Sequence, residues 1–407
     1  MAPWTSGTTL VVLGGAGMMA SGTVKDLVSN LSNAPDRIIV ADRDERDCRA
    51  VIERLGGDAR LEARAIDAAD RSALVALLRG AEVCLNGVPT FADHQMTIFE
   101  ACLEAGCHYV DYGGMGVYTV RQKARHEDWR RAGLTAILSL GSDPGLSNVL
   151  CRAVADRLDR IDRINLYWAA EAEGPANPVL VPPYNVATVL GEYANASRQF
   201  LDGRLVDVPA LSGFETIELP PPWGPTTFMF TQHSEPLTVP FADGISNKGI
   251  KEFTWKLHLP QEDHDTWVGL VRAGFGDFDD PVDIGGRRIK RADFLAALIA
   301  RNMRRNAGRI PERATRELHF AVGQGTRGGI ATRVTCSATL APSALHDGYV
   351  DPATSMCASV GLQLARRMTL RPGVWAPEEV FDPADFFAAL KPRGFEISIV
   401  TETTEAA

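Results

Sequence analysis

The segment Val11–Gly22 (VVLGGAGMMASG) carries the sharpest chemistry in the chain. Within it Gly15, Ala16, Gly17, Met18, Met19 and Ala20 fit G-x-G-x-x-G/A, directly after an apolar run and at the start of a helix-like stretch. That spacing suits a pyrophosphate. A tight turn needs Gly15, Gly17 lets the backbone come close, and the small Ala20 lets the helix pack on the strand. The amino end of the helix then faces the phosphate charge. A plain surface turn could use the same glycines, but Asp42 closes the next apolar run, RIIVAD, and offers a carboxylate to both ribose hydroxyls. A carboxylate there repels a 2′-phosphate and favours NAD. Arg43 could stack on adenine or hold that phosphate, so NADP stays open. Asp67, Asn86, Val88 and Pro89 fall where the chain crosses the carboxyl ends of strands, beside such a cofactor. For Asp67 a helix cap competes with that role.

A second group of residues could handle protons around a transferred hydride. Asp143, in Gly141–Gly145 (GSDPG), could anchor a substrate amine or orient water, and a cap-and-turn role competes. Tyr112, in DYGG, could line the pocket or merely pack. His233, in TQHSE, could be a general base near neutral pH, against the plainer reading of a satisfied surface or hairpin histidine. Glu215 lies beside Phe214 at the edge of another strand-like stretch. Lys248 and Lys251, in SNKGIKEF, could bind a carboxylate or simply sit on a solvated loop.

The elements needed to hold these residues are legible as alternation. Apolar runs at Thr9–Gly14, Arg37–Asp42, Leu61–Asp67, Ala81–Asn86, Cys107–Asp111 and Leu134–Leu140 are separated by helix-like stretches. The first of these helices spans Gly17–Leu31. This rhythm predicts βαβ units and a parallel sheet. After Gly145 the pattern becomes strand-rich: Ile161–Ala170, Phe228–Phe230, Phe253–Leu259, Glu317–Val322 and Ala331–Leu340, with GQGTRGG (Gly323–Gly329) as a hairpin turn. Pro352–Met368 reads as a helix and the tail ends in the strand-like EISIV. The expected fold class is therefore α/β: a Rossmann domain over 1–145, an α+β domain over 146–345 and a C-terminal segment over 346–407.

Composition narrows the partners. The 407 residues are 45% apolar and carry 42 Lys+Arg against 51 Asp+Glu, a net charge of -9. Disorder is excluded, and an acidic chain makes nucleic acid and anionic membranes poor partners. The basic run Gly286–Arg291 lacks interleaved aromatics for single strands. Seven scattered cysteines, without a CxxC pair, fit a reduced compartment, and no run of 18 apolar residues or secretory signal is seen. A cytoplasmic protein is expected. The histidines form no HxxxH or HExxH pattern, so no metal is expected, and the G-x-S-x-G elbow of a hydrolase is absent.

Five stretches carry a resemblance: the glycine fingerprint, Ala81–Gly114, Ile137–Ala155, Phe200–Pro220 and Gly348–Ala365. Together they resemble the saccharopine dehydrogenase-like oxidoreductases, most closely the branch containing L-lysine 6-dehydrogenase. The resemblance implies a second domain that supplies substrate contacts and subunit interface, a homodimer or higher oligomer, and C-terminal helices returning to the first domain. It also implies NAD(P)-dependent hydride transfer at a carbon bearing an amine, with a small amino acid or amine as substrate. Oxidative deamination is the leading expectation. An opine-type imine reductase, of saccharopine or carboxyspermidine type, is the alternative in chemistry, and a cofactor sensor without turnover the alternative in class.

Overall fold

The computed structural model describes residues 8–29, 35–90, 94–311 and 313–404. Two large sheets dominate it. In the first, β1 (Thr9–Leu13), β2 (Arg37–Asp42), β3 (Leu61–Ala65), β4 (Val83–Asn86), β5 (His108–Asp111) and β6 (Thr135–Ile137) run parallel in the order 6-5-4-1-2-3. Helices cover both faces, so the central strands β1, β2 and β4 are near-continuous apolar runs, whereas β3 at the edge (LEARA) alternates and is only partly buried. Leu10, Val12, Ile38 and Val40 pack under the helix Met18–Ser29 on one face. Val11, Leu13, Ile39 and Ala41 face the helices Arg71–Leu78 and Gln95–Ala105 on the other. The strand order reverses between β1 and β4, which opens a crevice at their carboxyl ends. The expected first helix continues to Leu31, and its last two residues lie outside the described residues.

The second sheet is mixed and has nine strands. Its members are β7 (Arg160–Glu173), the hairpin β8 (Ser197–Leu201) and β9 (Arg204–Val208), β10 (Glu215–Leu219), β11 (Gly224–Phe230), β12 (Glu252–His258), and further on two long strands and the last strand of the chain. A small separate hairpin joins β13 (Val282–Ile284) to β14 (Arg287–Ile289), which absorbs the basic run, and the helix Arg291–Arg305 follows. The two long strands are β15 (Ala314–Arg327) and β16 (Ile330–Leu340). They turn at Gly328–Gly329 alone, where φ is 58° and 81°. The expected seven-residue loop is thus mostly strand, because two glycines at positive φ suffice for a turn matching the strand twist.

The C-terminal segment divides between the sheets instead of returning wholly to the first. Its helix Pro352–Ala365 packs on Met18–Ser29 so closely that a Cβ at Gly22 would lie 2.3 Å from Ser355 Oγ. The strand β17 (Gly373–Trp375) extends the first sheet beside β6. The last strand, β18 (Phe395–Thr404), pairs with β16 in the second. Isoleucines and a phenylalanine at alternate positions of FEISIV suit a half-buried strand better than a helix contact.

Candidate functional site

Between the sheets lies a cleft of about 1560 Å³. One half is the glycine turn. Gly14, with φ 66°, is the residue that turns the chain, and a Cβ there would lie 2.7 Å from the backbone of Gly87. Gly15 is excluded from any side chain for another reason: its Cβ would meet Val40 Cγ1 at 2.8 Å. The turn thus needs glycine one residue earlier than the motif suggests, because β1 and β4 pass there at backbone contact. Beyond it the first residues of the helix Met18–Ser29 (Met18, Met19 and Ala20) line the cleft, and the amides that open a helix have no intrahelical partner.

The expected cofactor residues divide by role. Gly17, Met18, Met19, Asp42, Arg43, Asp67, Asn86, Val88 and Pro89 all border the cleft, whereas Gly15 and Ala16 do not line it. Asp42 accepts from Ala16 N at 3.2 Å and Arg43 N at 2.7 Å, so it braces the turn from the end of β2. Asp67 is not a helix cap. It accepts from Ala69 N (2.9 Å), and Asp70 caps the following helix through Ala73 N (3.0 Å). Asn86 is consumed structurally by Gln95, Tyr109 and Val88 N at 2.7, 3.0 and 3.1 Å. The crowded cradle, the free helix amides and the acid ending β2 are together what a dinucleotide requires, so the residues present fit that group.

The other half is built from side chains. Asp143 pairs with His319 Nδ1, a buried ring on β15, in a very short contact. The other carboxylate oxygen of Asp143 is buried without a partner. Glu317, two residues along the same face of β15, comes within 3.4 Å of His319 Nε2 and accepts from Trp168 Nε1 at 3.2 Å. Burial alone would lower the His319 pKa, but the Asp143 and Glu317 carboxylates outweigh it and push it up to about 10. Burial raises the Asp143 carboxyl, opposed by His319.

His233 forms a second pair. Its Nδ1 meets Glu235 Oε2 at 2.5 Å, and its ring stacks on Trp255 with centroids 4.1 Å apart. Glu235 is fixed in turn by Ser147 Oγ at 2.7 Å. With Nδ1 held, Nε2 is the nitrogen left towards the cleft, 4.0 Å from Glu192 Oε1. Burial works against a charged His233, and Glu235 more than compensates, so its pKa is raised. Glu192 also accepts from Tyr184 OH, and burial pushes its carboxyl up to about 7. Asp351, which caps the helix Pro352–Ala365 through Thr354 N at 2.9 Å, is raised to about 7 by burial and by nearby Glu317.

Of the expected catalytic residues, Asp143, His233 and Tyr112 border this half. The Tyr112 hydroxyl lies 2.6 Å from Thr23 Oγ1, and burial raises its pKa, so it ties the turn helix to the cleft wall. Glu215 and Lys248 are corrected by their placement. Glu215 accepts from Lys256 Nζ (2.5 Å) and Tyr167 OH (3.1 Å) on the far face of the sheet, where alternation puts it opposite the cleft. Lys248 donates to Ala155 O (2.8 Å), a carbonyl at the end of a helix, which is a common station for a lysine. His319, Glu317, Glu192 and Asp351 were not anticipated. The one signal for His319 is a polar residue inside an apolar strand, ELHFAV.

Residues 10–137 match the saccharopine dehydrogenase NADP binding domain. The likeness to that family's model is thus confined to the N-terminal third of the chain. The carboxynorspermidine synthase of Vibrio cholerae is 32% identical over 149 residues, covering 32% of this chain and 36% of that protein. The carboxyaminopropylagmatine dehydrogenase of Synechocystis is 26% identical over 219 residues, covering 52% and 53%. The chain thus spans between about a third and a half of the length of these curated relatives. Apo saccharopine dehydrogenase (L-Glu forming) of Saccharomyces cerevisiae shares the fold, with a TM-score of 0.67 at 14% identity over 97% of this chain and 100% of that one. Among the described residues, no helix is long and apolar enough to cross a membrane, and no cluster of His, Cys, Asp and Glu could hold a metal ion.

Proposed function

We propose that the protein is a nicotinamide-dependent oxidoreductase acting at a carbon–nitrogen bond, and that it reduces the imine formed between an amine and a carbonyl compound. The observation that carries this reading is the pair of histidine–carboxylate couples, Asp143–His319 and His233–Glu235, facing one cleft with the dinucleotide turn. The names of the relatives, a synthase and a dehydrogenase of carboxylated amines, support the choice of amine substrates.

The bound nicotinamide supplies the hydride. The chain's own groups move protons and hold charge. An amine must lose a proton to attack the carbonyl carbon, and the carbinolamine must gain one to lose water. His233 Nε2, with Nδ1 fixed by Glu235, is placed for both transfers. The unpartnered Asp143 oxygen steadies the positive charge of the protonated imine nitrogen, and His319 keeps that carboxylate ionised and aimed. After the carbon accepts hydride, the secondary amine takes up a proton and leaves as an ammonium, which the surrounding carboxylates favour.

Run backwards, the same groups would serve oxidative deamination of the L-lysine 6-dehydrogenase kind. Spectrophotometry with purified protein separates the two. Loss of NADH or NADPH absorbance only when an amine and an aldehyde or keto acid are both present is expected. Reduction of NAD or NADP by a single amine, with ammonia released, would instead select deamination, and silence in both directions would refute the assignment. The reading carries with it an expected homodimer or higher oligomer, which light scattering checks.

A further inference from the structure

Reductive joining of an amine to a carbonyl compound uses two protons of different origin. The ammonium gives up the first before its nitrogen attacks, and that proton leaves in water when the carbinolamine C–O bond breaks. Hydride then completes a C–H bond, and the secondary amine takes the second proton to become an ammonium. In balance, one ammonium, one carbonyl compound, one reduced nicotinamide and one proton give one secondary ammonium, one oxidised nicotinamide and one water. The first proton is borrowed, which suits a base such as His233. The second is consumed, and needs an acid loaded before the hydride moves.

Glu192 is placed to be that acid. It lies in the helix Val186–Ala194, whose start is fixed by Asn185 accepting from Ala187 N (3.0 Å) and Thr188 N (3.3 Å). Thr188 and Glu192, one turn apart, both border the cleft. Tyr184 OH donates to Glu192 Oε2, which leaves Oε1 facing His233 Nε2 across 4.0 Å. That gap is too long for a direct hydrogen bond. It has the width for one shared atom, since an atom ~2.9 Å from each fits between two groups so spaced. The titratable groups around Glu192 are His233 and Glu235 after β11, Asp143 after β6, Tyr184 before the helix and Tyr193 within it. Burial prevails over the favourable charge of His233, so the carboxyl is pushed up to about 7. A secondary amine is a far stronger base and takes a proton from such an acid downhill.

We propose that Glu192 is a catalytic acid: the substrate nitrogen lies between its Oε1 and His233 Nε2, and Glu192 supplies the proton that the product amine gains. The inference rests on the proposed imine reduction for the identity of the reaction. The place of the nitrogen rests on the gap alone. After donation Oε1 is a carboxylate against an ammonium, a pair that holds the product until it leaves and solvent reloads the acid.

The first test needs only the reacting group. Methylammonium carries that group alone, and tetramethylammonium carries the same charge without an N–H. On the full chain loaded with NADPH or NADH, NMR of labelled glutamate carboxyl carbons follows the proton directly, with the Glu192 signal assigned by its loss in Glu192→Gln. Methylammonium is expected to weaken the hold of Glu192 on its proton ~10-fold or more, and tetramethylammonium much less. The second test uses the amine–carbonyl pair for which spectrophotometry shows cofactor loss. Wild-type kcat/KM should fall as pH rises through about 7, where Glu192 loses its proton. Glu192→Gln should lower kcat ~100-fold or more with little change in KM, and should lose that limb. Glu192→Asp, a shorter acid, should keep the limb and recover part of the rate. An unmoved Glu192 titration, or full rate with an unchanged limb in Glu192→Gln, overturns the proposal. A shifted titration without reduction of any pair removes the reaction and leaves the amine station between Glu192 and His233.

Discussion

In the half of the cleft bounded by β1, β2 and β4, a ligand would be met by backbone. There are turn amides, a helix end and glycines admitted because nothing larger fits, with Gly14 only 2.7 Å from Gly87 once a Cβ is added. In the half bounded by β7, β15 and the helix Val186–Ala194, it would be met by titratable side chains brought from far apart in the chain. Asp143 and His319 are 176 positions apart, and Ser147 and Glu235 are 88 apart. The first half offers a phosphate a geometry that tolerates almost no substitution. The second half offers a charged ligand groups whose protonation depends on one another.

The largest effect should come from the second half. Asp143→Asn keeps the shape and removes the charge that His319 answers, so kcat should fall about 10²–10⁴-fold in a steady-state assay with cofactor affinity preserved. His319→Gln should add a stability loss of about 3–5 kcal/mol, because it strands a buried carboxylate; denaturant melts measure it. If Asp143→Asn also lost the cofactor, the two halves would not be separable in the way described. Next comes Gly14→Ala. Placing a side chain at φ 66° costs roughly 1–2 kcal/mol before the contact with Gly87 is counted, and cofactor titration should show about 100-fold or greater loss. Asp42→Ala should weaken NAD roughly 10-fold and NADP much less. Equal losses would deny Asp42 a ribose contact and leave it as a brace for Ala16 N.

Protonation supplies a smaller test. The Glu192 carboxyl is raised to about 7 from an ordinary 4.5, so the folded chain holds a proton that the unfolded chain has released between those values. Its contribution to stability is complete below about pH 4.5 and is lost as pH rises through 7, by at most about 3 kcal/mol. Glu192→Gln should therefore melt above the wild type at pH 8 and level with it near pH 5. Smallest of all, Glu215→Ala and Lys248→Ala should leave kcat/KM within about 2-fold, since their partners lie away from the cleft. A large loss from either would return it to the site.

The same contrast explains what could be read from residues alone. Gly15, Gly17, Ala20 and Asp42 act within one βαβ unit, so their spacing along the chain is close to their spacing in space, and the parallel order of β1–β6 follows from alternation. The motif still misplaces the turning residue by one, because Gly14 is fixed by Gly87, which belongs to another strand. His233 and Glu235 were legible as neighbours two positions apart. The partnership of His319 with Asp143 was not, since it depends on the register of β15 against β7 and on where Asp143 leaves the first sheet. Glu215 and Lys248 show the converse error: both are punctuation between strands by sequence, and only the face of the sheet or the nearest helix end decides what they touch.

The divided C-terminal segment has a mechanical consequence. The chain passes from one sheet to the other three times, over residues 138–159, 341–372 and 376–394. Any change in the angle between the two sheets would have to be absorbed by all three passes together. The last pass ends in β18, ten residues paired along β16, so the tail is one of the three covalent ties between the walls of the cleft and lies apart from the cofactor turn.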